Sequence, residues 1–282
     1  MGVSKDCIDD YLCAETGLPV TLCNCPGHTT HTGLLAELNN RDPRLLQTVC
    51  SPEAGEHTYY LKGHPANIAN IVNTGAGGSS STGYSIAKFY NAAEHLAAHH
   101  QGTLDAPVFR FGEILLIRAE AAAELGTISQ TDLDATVNKL RERVGFNHKL
   151  TMSPAVDPKL EAEYPNVSAN NATLIREIRR ERRVELFGEG YRFDDLRRWA
   201  CGKRLDASVA PRMGMIPDAK LYSAENITAM QNVLGTNSKG ELDIYSKRVD
   251  TQARFEDPKN YLFAIPTNEI SINPNLTQNT GW

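Results

Sequence analysis

No run of this 282-residue chain approaches the roughly 20 consecutive apolar residues that cross a bilayer as a helix. The opening residues, MGVSKDCIDDY, contain no apolar core of the kind a secretory signal needs. Cys7 likewise lacks the hydrophobic run that precedes a lipidated cysteine. These absences predict either a cytoplasmic chain or a fragment whose native start lies elsewhere. An excess of basic charge is also missing: the net charge is −5, and lysines and arginines are interleaved with acids. That excludes a nucleic-acid footprint. Aromatic residues are modest in number, with ten Tyr, eight Phe and two Trp, and nothing resembles an alternating basic and aromatic RNA-binding surface. The glycines of the run Gly75 to Ser81 are not followed by Lys-Ser or Lys-Thr, so the run is a surface loop and not a phosphate cradle.

Six cysteines are unevenly placed. Cys7, Cys13, Cys23, Cys25 and Cys50 lie near the start, and Cys201 stands alone. In an exported protein they allow up to three disulfides, among 15 pairings that sequence cannot separate. The segment CNCPGHTTH puts Cys23, Cys25, His28 and His31 close together, in the manner of a zinc shell. Structural zinc sites usually have two residues between paired cysteines, and here there is one. The segment therefore reads as disulfides or free thiols in an irregular loop, with no metal and no cofactor.

What is present is enough apolar material, 41% of residues, for a substantial core. Three zones appear. Residues 1–105 are rich in turn formers such as Gly17-Leu18-Pro19 and Cys25-Pro26-Gly27, and leave room only for short elements. Residues 106–199 are strongly helical. Phe111, Ile114, Leu115, Arg118, Ala122 and Leu125 recur at helical spacing, and the alanines at 119 and 121–123 permit close approach of a partner helix. Gly126 ends that helix. Ser129 or Thr131 caps the next, whose Leu133, Val137, Leu140 and Val144 share one face before Gly145. The pair forms a hairpin of tetratricopeptide dimensions, without a second copy of the same spacing. Residues 200–282 return to irregular chain. There Tyr261 to Ile265 reads as a short buried extended segment, and Pro266 starts a helical turn through Ile270.

The stretch LIREIRRERRVELFGEGYRFDDLRRW, Leu174 to Trp199, is about half charged. On a helix, which turns about 100° per residue, Leu174, Ile175, Ile178 and Leu186 share one side, and Arg182 and Glu185 fall inside it. Val184 and Phe187 point elsewhere, so the helix is covered on more than one side. Desolvating a lone charge is costly. The pattern therefore predicts a buried Arg/Glu network joining this helix to its neighbours. Asn170 or Asn171 caps its start, and Gly188 and Gly190 separate a short continuation that ends in Trp199, a core aromatic. Glu181, Glu185 and nearby acids are structural partners before they are a catalytic carboxylate pair. Arg41, Asp42 and Arg44 brace a turn.

Several segments in a fixed order resemble the C-terminal part of the SusD/RagB family. They are DYLCAETGLPV, Arg41-Asp42-Pro43-Arg44-Leu45, STGYSIAKFY, FRFGEILLIRAEAAAELG, VNKLRERVGF, IRRERRVELFGEGYRFDDLRRW and YLFAIPTNEISINPNLTQNTGW, together covering about residues 10–282. The resemblance implies a mainly α fold, with tetratricopeptide-like helical hairpins packed against a loop-rich irregular region. It implies one C-terminal region over 1–282, with the family's N-terminal helices, signal peptide and lipidated cysteine absent. By the same resemblance the protein is not an enzyme. It binds oligosaccharides at the outer membrane of a Gram-negative bacterium and passes them to a TonB-dependent, SusC-like transporter. A protein-binding helical scaffold and a glycoside hydrolase are the alternative readings.

No family motif marks the ligand contacts. Sugars present C–H faces to aromatic rings and hydroxyls to polar groups. Aromatics without a periodic partner in the irregular zones are therefore the candidates: Tyr59 and Tyr60 between Gly55 and Gly63, and Tyr222 and Tyr245 in the third zone.

Overall fold

A computed structural model describes residues 2–26, 33–51, 80–89, 103, 105, 107–168, 170–248 and 252–282. Among them the chain is helical, and only isolated β-bridges form, such as Cys13 with Arg41 and Val49 with Ile86. Three short helices, α1 (Lys5–Ile8), α2 (Leu34–Leu38) and α3 (Arg44–Thr48), precede a longer α4 (Phe111–Glu124). Next come α5 (Gln130–Ala135), α6 (Val137–Arg143), α7 (Pro158–Glu163), α8 (Ala172–Glu185) and α9 (Arg192–Arg198). The last two are α10 (Ala224–Leu234) and α11 (Thr267–Ile272). None of the described helices is long and apolar enough to cross a membrane. The expected loop at Gly75 to Ser79 lies outside the described residues.

The hairpin of α4 with α5 and α6 forms as the alanines and glycines predict. Gly126 takes a positive φ of 71° at the turn, and Ser129 caps α5 in a reciprocal capping box with Asp132. The expected single helix through Val144 is instead broken at Thr136. The Thr136 hydroxyl donates to the Asp132 carbonyl at 2.6 Å, the local competition with the backbone that makes threonine a weak helix interior residue. Leu133, Val137 and Leu140 nevertheless stay on one buried face.

The apolar stripe predicted for α4 is rotated. Its buried positions are Gly112, Leu115, Leu116, Ala119, Glu120 and Ala123, whereas Phe111 is 66% and Leu125 77% exposed, and Ile114 is exposed as well. Small side chains decide the orientation: fully buried Ala119 and Ala123 allow α8 to pack closely across this face. The larger residues Val108, Phe109, Phe111, Ile114 and Ile117 are left facing outward.

Helix α8 separates two apolar clusters. Leu174, Ile175 and Ile178 belong to the first, with Leu116, Leu133, Val137, Tyr164 and Trp199. Val184 enters the second, which holds Ile8, Tyr11, Leu45, Tyr84, Met215 and Met230, with Phe187 packed against it. This two-sided covering buries the charges that the sequence placed in the stripe. Glu181 accepts from Arg44 at 2.5 Å and Arg141 at 2.9 Å. Glu185 accepts from Arg110 at 3.0 Å and Arg143 at 2.8 Å. Arg182 reaches Asp195 at 2.8 Å, Arg183 holds Asp6 and Asp10 at 2.7 and 2.6 Å, and Arg180 pairs with Asp157. Burial opposes ionisation of Glu181, yet Arg141 and Arg44 outweigh it and hold the carboxyl down at about 2. The C-terminal carbonyl of Glu185 accepts from Lys88 at 2.9 Å and Arg110 at 3.0 Å, cations suited to the negative end of a helix.

Two local expectations are corrected. Asn171 occupies the N-cap of α8, but its amide donates to the Ala123 carbonyl at 2.6 Å and so closes the end of α4 instead. Phe263 is 67% exposed, and its neighbour Leu262 is exposed too, so the segment 261–265 is not buried. Side-chain amides of the C-terminal tail satisfy its backbone: Gln278 bonds both the amide and the carbonyl of Ile265, and Asn279 donates to the Phe263 carbonyl at 2.7 Å. The predicted helical turn after Pro266 is α11. Trp199 is a core residue, its indole nitrogen donating to Glu120 at 2.5 Å.

Removing one partner from a buried ionic network strands the other. Glu181→Ala is expected to lower the unfolding free energy by about 3–5 kcal/mol in urea titrations. Arg118→Ala, which removes an exposed pair with Asp132, should cost under about 1 kcal/mol.

A second prediction concerns pH. Glu37 is buried, and desolvation is the leading cause that pushes its carboxyl up to about 7. Lys5, Arg41 and the Tyr84 hydroxyl that donates to it oppose the rise, while Asp9 adds to it. Between the unfolded value of 4.5 and about 7 the folded chain therefore binds more protons, and stability falls as pH rises. Glu37→Gln should gain stability relative to the parent across that window, at roughly 1.4 kcal/mol per pKa unit. A constant difference between the two proteins from pH 4.5 to 7 would contradict the assignment.

Candidate functional site

Beyond Glu185 the chain turns through Gly188 and Gly190, at φ of 76° and 92°. These are conformations that side-chain-bearing residues rarely adopt. The turn re-aims the chain into α9 and opens a cleft of about 460 Å³, within the range of small-ligand pockets. One wall is the N-terminal segment from Gly2 to Cys7, and another is the stretch around Arg204 and Arg212. Phe187, Tyr191 and Phe193 supply aromatic lining, and Asp6, Arg182, Arg183 and Arg192 supply charge.

The charges on the floor are paired. Asp6 receives Arg183 at 2.7 Å and Arg204 at 3.0 Å, with Lys159 at 3.5 Å. Burial opposes its ionisation, but these three cations outweigh burial and keep the carboxyl well below the usual range. Arg192 and Arg212 instead meet neutral oxygens: the Tyr164 hydroxyl at 2.9 Å, and the Ala210 and Arg204 carbonyls at 3.0 Å. The cleft thus carries donors suited to hydroxyl or anionic groups beside aromatic rings.

At its rim, Arg197 lies over two exposed rings, its guanidinium carbon 5.3 Å from the Phe193 centroid and 4.8 Å from that of Phe263. The Arg197 side chain is fixed by donation to the Tyr261 carbonyl, at 3.1 Å from Nε. Two apolar ring faces are thereby held in place next to the cleft. Phe193 and Arg197 stand four residues apart on one helix, a spacing visible in the sequence. The approach of Phe263, from 66 residues beyond Arg197 in sequence, was not.

Of the tyrosines expected as contacts, Tyr222 and Tyr245 do not line this cleft. Tyr222 is 7% exposed and belongs to the second apolar cluster, so its ring packs inward. Tyr245 is half-buried, its amide bonded to Asp243 at 3.1 Å. Tyr59 and Tyr60 lie outside the described residues, as do His28 and His31. Cys23 and Cys25 do come together, with Cys13 as a third neighbour. All six cysteines carry free, buried thiols. Glu181 and Glu185 have their oxygens occupied by arginines, and Glu181 ionises too readily to act as a general acid near neutral pH.

The helical hairpins and the loop-rich region around them define a class, and sequence comparison agrees. The SusD family model matches residues 1–282, and the chain belongs to that family. No curated protein matches the sequence. Among solved structures, the fold is similar to a SusD-like protein from Bacteroides fragilis NCTC 9343, at a TM-score of 0.62 and 22% identity, over 100% of this chain and 47% of that one. It is also similar to a SusD-like carbohydrate binding protein from the same organism, at 0.61 and 22%, over 97% of this chain and 48% of that one. The chain spans about half the length of these solved structures.

The turn into α9 gives a direct test of how the cleft is held open. A Cβ on Gly188 would meet nothing within 4 Å, so Gly188→Ala is penalised by backbone conformation alone. We expect a loss of about 1–2 kcal/mol in chemical denaturation, with α8 and α9 retained in circular dichroism.

Proposed function

We propose that this chain captures oligosaccharides, without catalysis, at a bacterial outer membrane, and hands them to a TonB-dependent, SusC-like transporter. Membership of the SusD family along the whole chain carries the reading, and a solved structure of the same fold is named as a carbohydrate binding protein. The cleft between α1 and α9, with Phe193 and Phe263 at its rim, supports it chemically. Ring faces stack on sugar C–H groups, and Arg192 and Arg212 offer donors to hydroxyls. Tyr245, partly open in the third zone, is proposed as a further contact, as are Tyr59 and Tyr60; Tyr222, with its ring in the core, is not. The hydrolase alternative has little support, because the acids of α8 are committed to arginines.

The test is retardation of the folded protein, in its full-length form, in native gels containing each member of a polysaccharide panel, followed by calorimetry with the matching oligosaccharide. At least one glycan should bind, and Phe193→Ala should weaken it by about tenfold, the cost of losing a stacking anchor of roughly 1.4 kcal/mol. Tyr245→Ala should weaken it less. A folded protein that binds no glycan in the panel would defeat the reading, and so would release of sugar products from a bound polysaccharide.

A further inference from the structure

The three buried thiols near the start of the chain form a group that glycan capture does not use. Cys13, Cys23 and Cys25 place their sulfurs all within 4.8 Å of one another, with Cys13 and Cys25 at 3.6 Å. Tetrahedral zinc with Zn–S bonds of about 2.3 Å sets neighbouring sulfurs about 3.8 Å apart. The Cys13–Cys25 pair already has nearly that spacing, without regular secondary structure to enforce it.

Each sulfur is presented by a tight turn. Cys13 opens a turn in which its amide donates to the Leu18 carbonyl and Gly17 donates back to the Cys13 carbonyl, both at 2.9 Å. Gly17 completes that turn at a φ of 70°. The Asn40 side-chain amide lies 4.0 Å from the Cys13 sulfur. An amide donor beside a sulfur is what a metal thiolate receives from its outer shell. Cys23 and Cys25 follow a second turn, in which Cys23 donates to the Pro19 carbonyl at 2.9 Å. The Cys23 thiol points at the Val20 carbonyl at 3.8 Å, a weak contact that metal binding would replace. Leu18 packs over the group.

We propose that Cys13, Cys23 and Cys25 are three thiolate ligands of one structural zinc-type ion that ties the two turns together. Binding forms three metal–sulfur bonds and releases three thiol protons to solvent, leaving the fourth tetrahedral position for water or another donor. The one-residue gap between Cys23 and Cys25 argued against zinc when that pair was read with His28 and His31. Cys13, ten residues earlier and facing them across the turns, supplies the missing geometry. A disulfide within the trio would leave one thiol over and would require an oxidant. A soft divalent ion uses all three.

The proposal is independent of glycan binding. The full chain, reduced and then freed of reductant under anaerobic conditions, is titrated with cobalt(II). One equivalent should produce a sulfur-to-cobalt charge-transfer band, which one equivalent of zinc should abolish. Zinc should also raise the melting temperature and protect three of the six thiols from a disulfide reagent. Cys13→Ser should lose the band and the zinc-dependent rise in melting temperature, and Cys201→Ser should keep both. Absence of the band in the folded parent overturns the proposal. So does a disulfide joining two of the three cysteines, found by mass spectrometry in protein isolated without reductant.

Discussion

The structure depends on α8 lying between two apolar clusters while carrying more charge than any other helix described. Glu177, Arg179, Arg180, Glu181, Arg182 and Glu185 are all buried. They are tolerable there because partners arrive from several directions: Arg44 from α3, Arg110 from before α4, Arg141 and Arg143 from α6, Asp157 from before α7, and Asp195 from α9. An apolar helix of the same shape could give as much stability. The ionic version adds register. Shared carboxylates such as Glu181, held by Arg44 and Arg141, and Glu185, held by Arg110 and Arg143, constrain how the loop-rich segments dock on α8.

This arrangement also positions the cleft. Arg182 and Arg183 tie the end of α8 to Asp195 on α9 and to Asp6 in α1. The same contacts that close the core therefore fix two walls of the candidate site. Phe187 and Phe193 project from either side of the glycine turn that joins the two helices. Rigid scaffold and open surface meet within a few residues.

Much of the scaffold was legible in the sequence. The charges inside the α8 stripe announced their own burial, and Val184 and Phe187 announced the second covering layer. The orientation of α4 was harder to read, because large residues at helical spacing drew attention to Phe111 and Leu125 while the small residues Ala119 and Ala123 governed packing. The break at Thr136 is a local backbone departure that periodicity does not register. The site was less legible than the fold. Tyr222 looked like a free aromatic because its burial comes from a cluster built of segments distant in sequence, including Ile8, Leu45 and Tyr84. Phe263 looked buried because nothing local shows that the amides of Gln278 and Asn279, from the C-terminal tail, satisfy the backbone of its segment. The Cys13 neighbourhood shows the same limit, since contacts between turns are not periodic.

Hydrogen exchange followed by mass spectrometry, with and without a bound oligosaccharide, tests the central claim that α8 is the common joint and the glycine turn the edge of the site. The account predicts that amides of Ala172 to Glu185 exchange only through global unfolding. It also predicts that ligand slows exchange chiefly from Gly188 to Arg197. Local opening of α8 while the surrounding helices stay protected, or ligand protection confined to other segments, would contradict it.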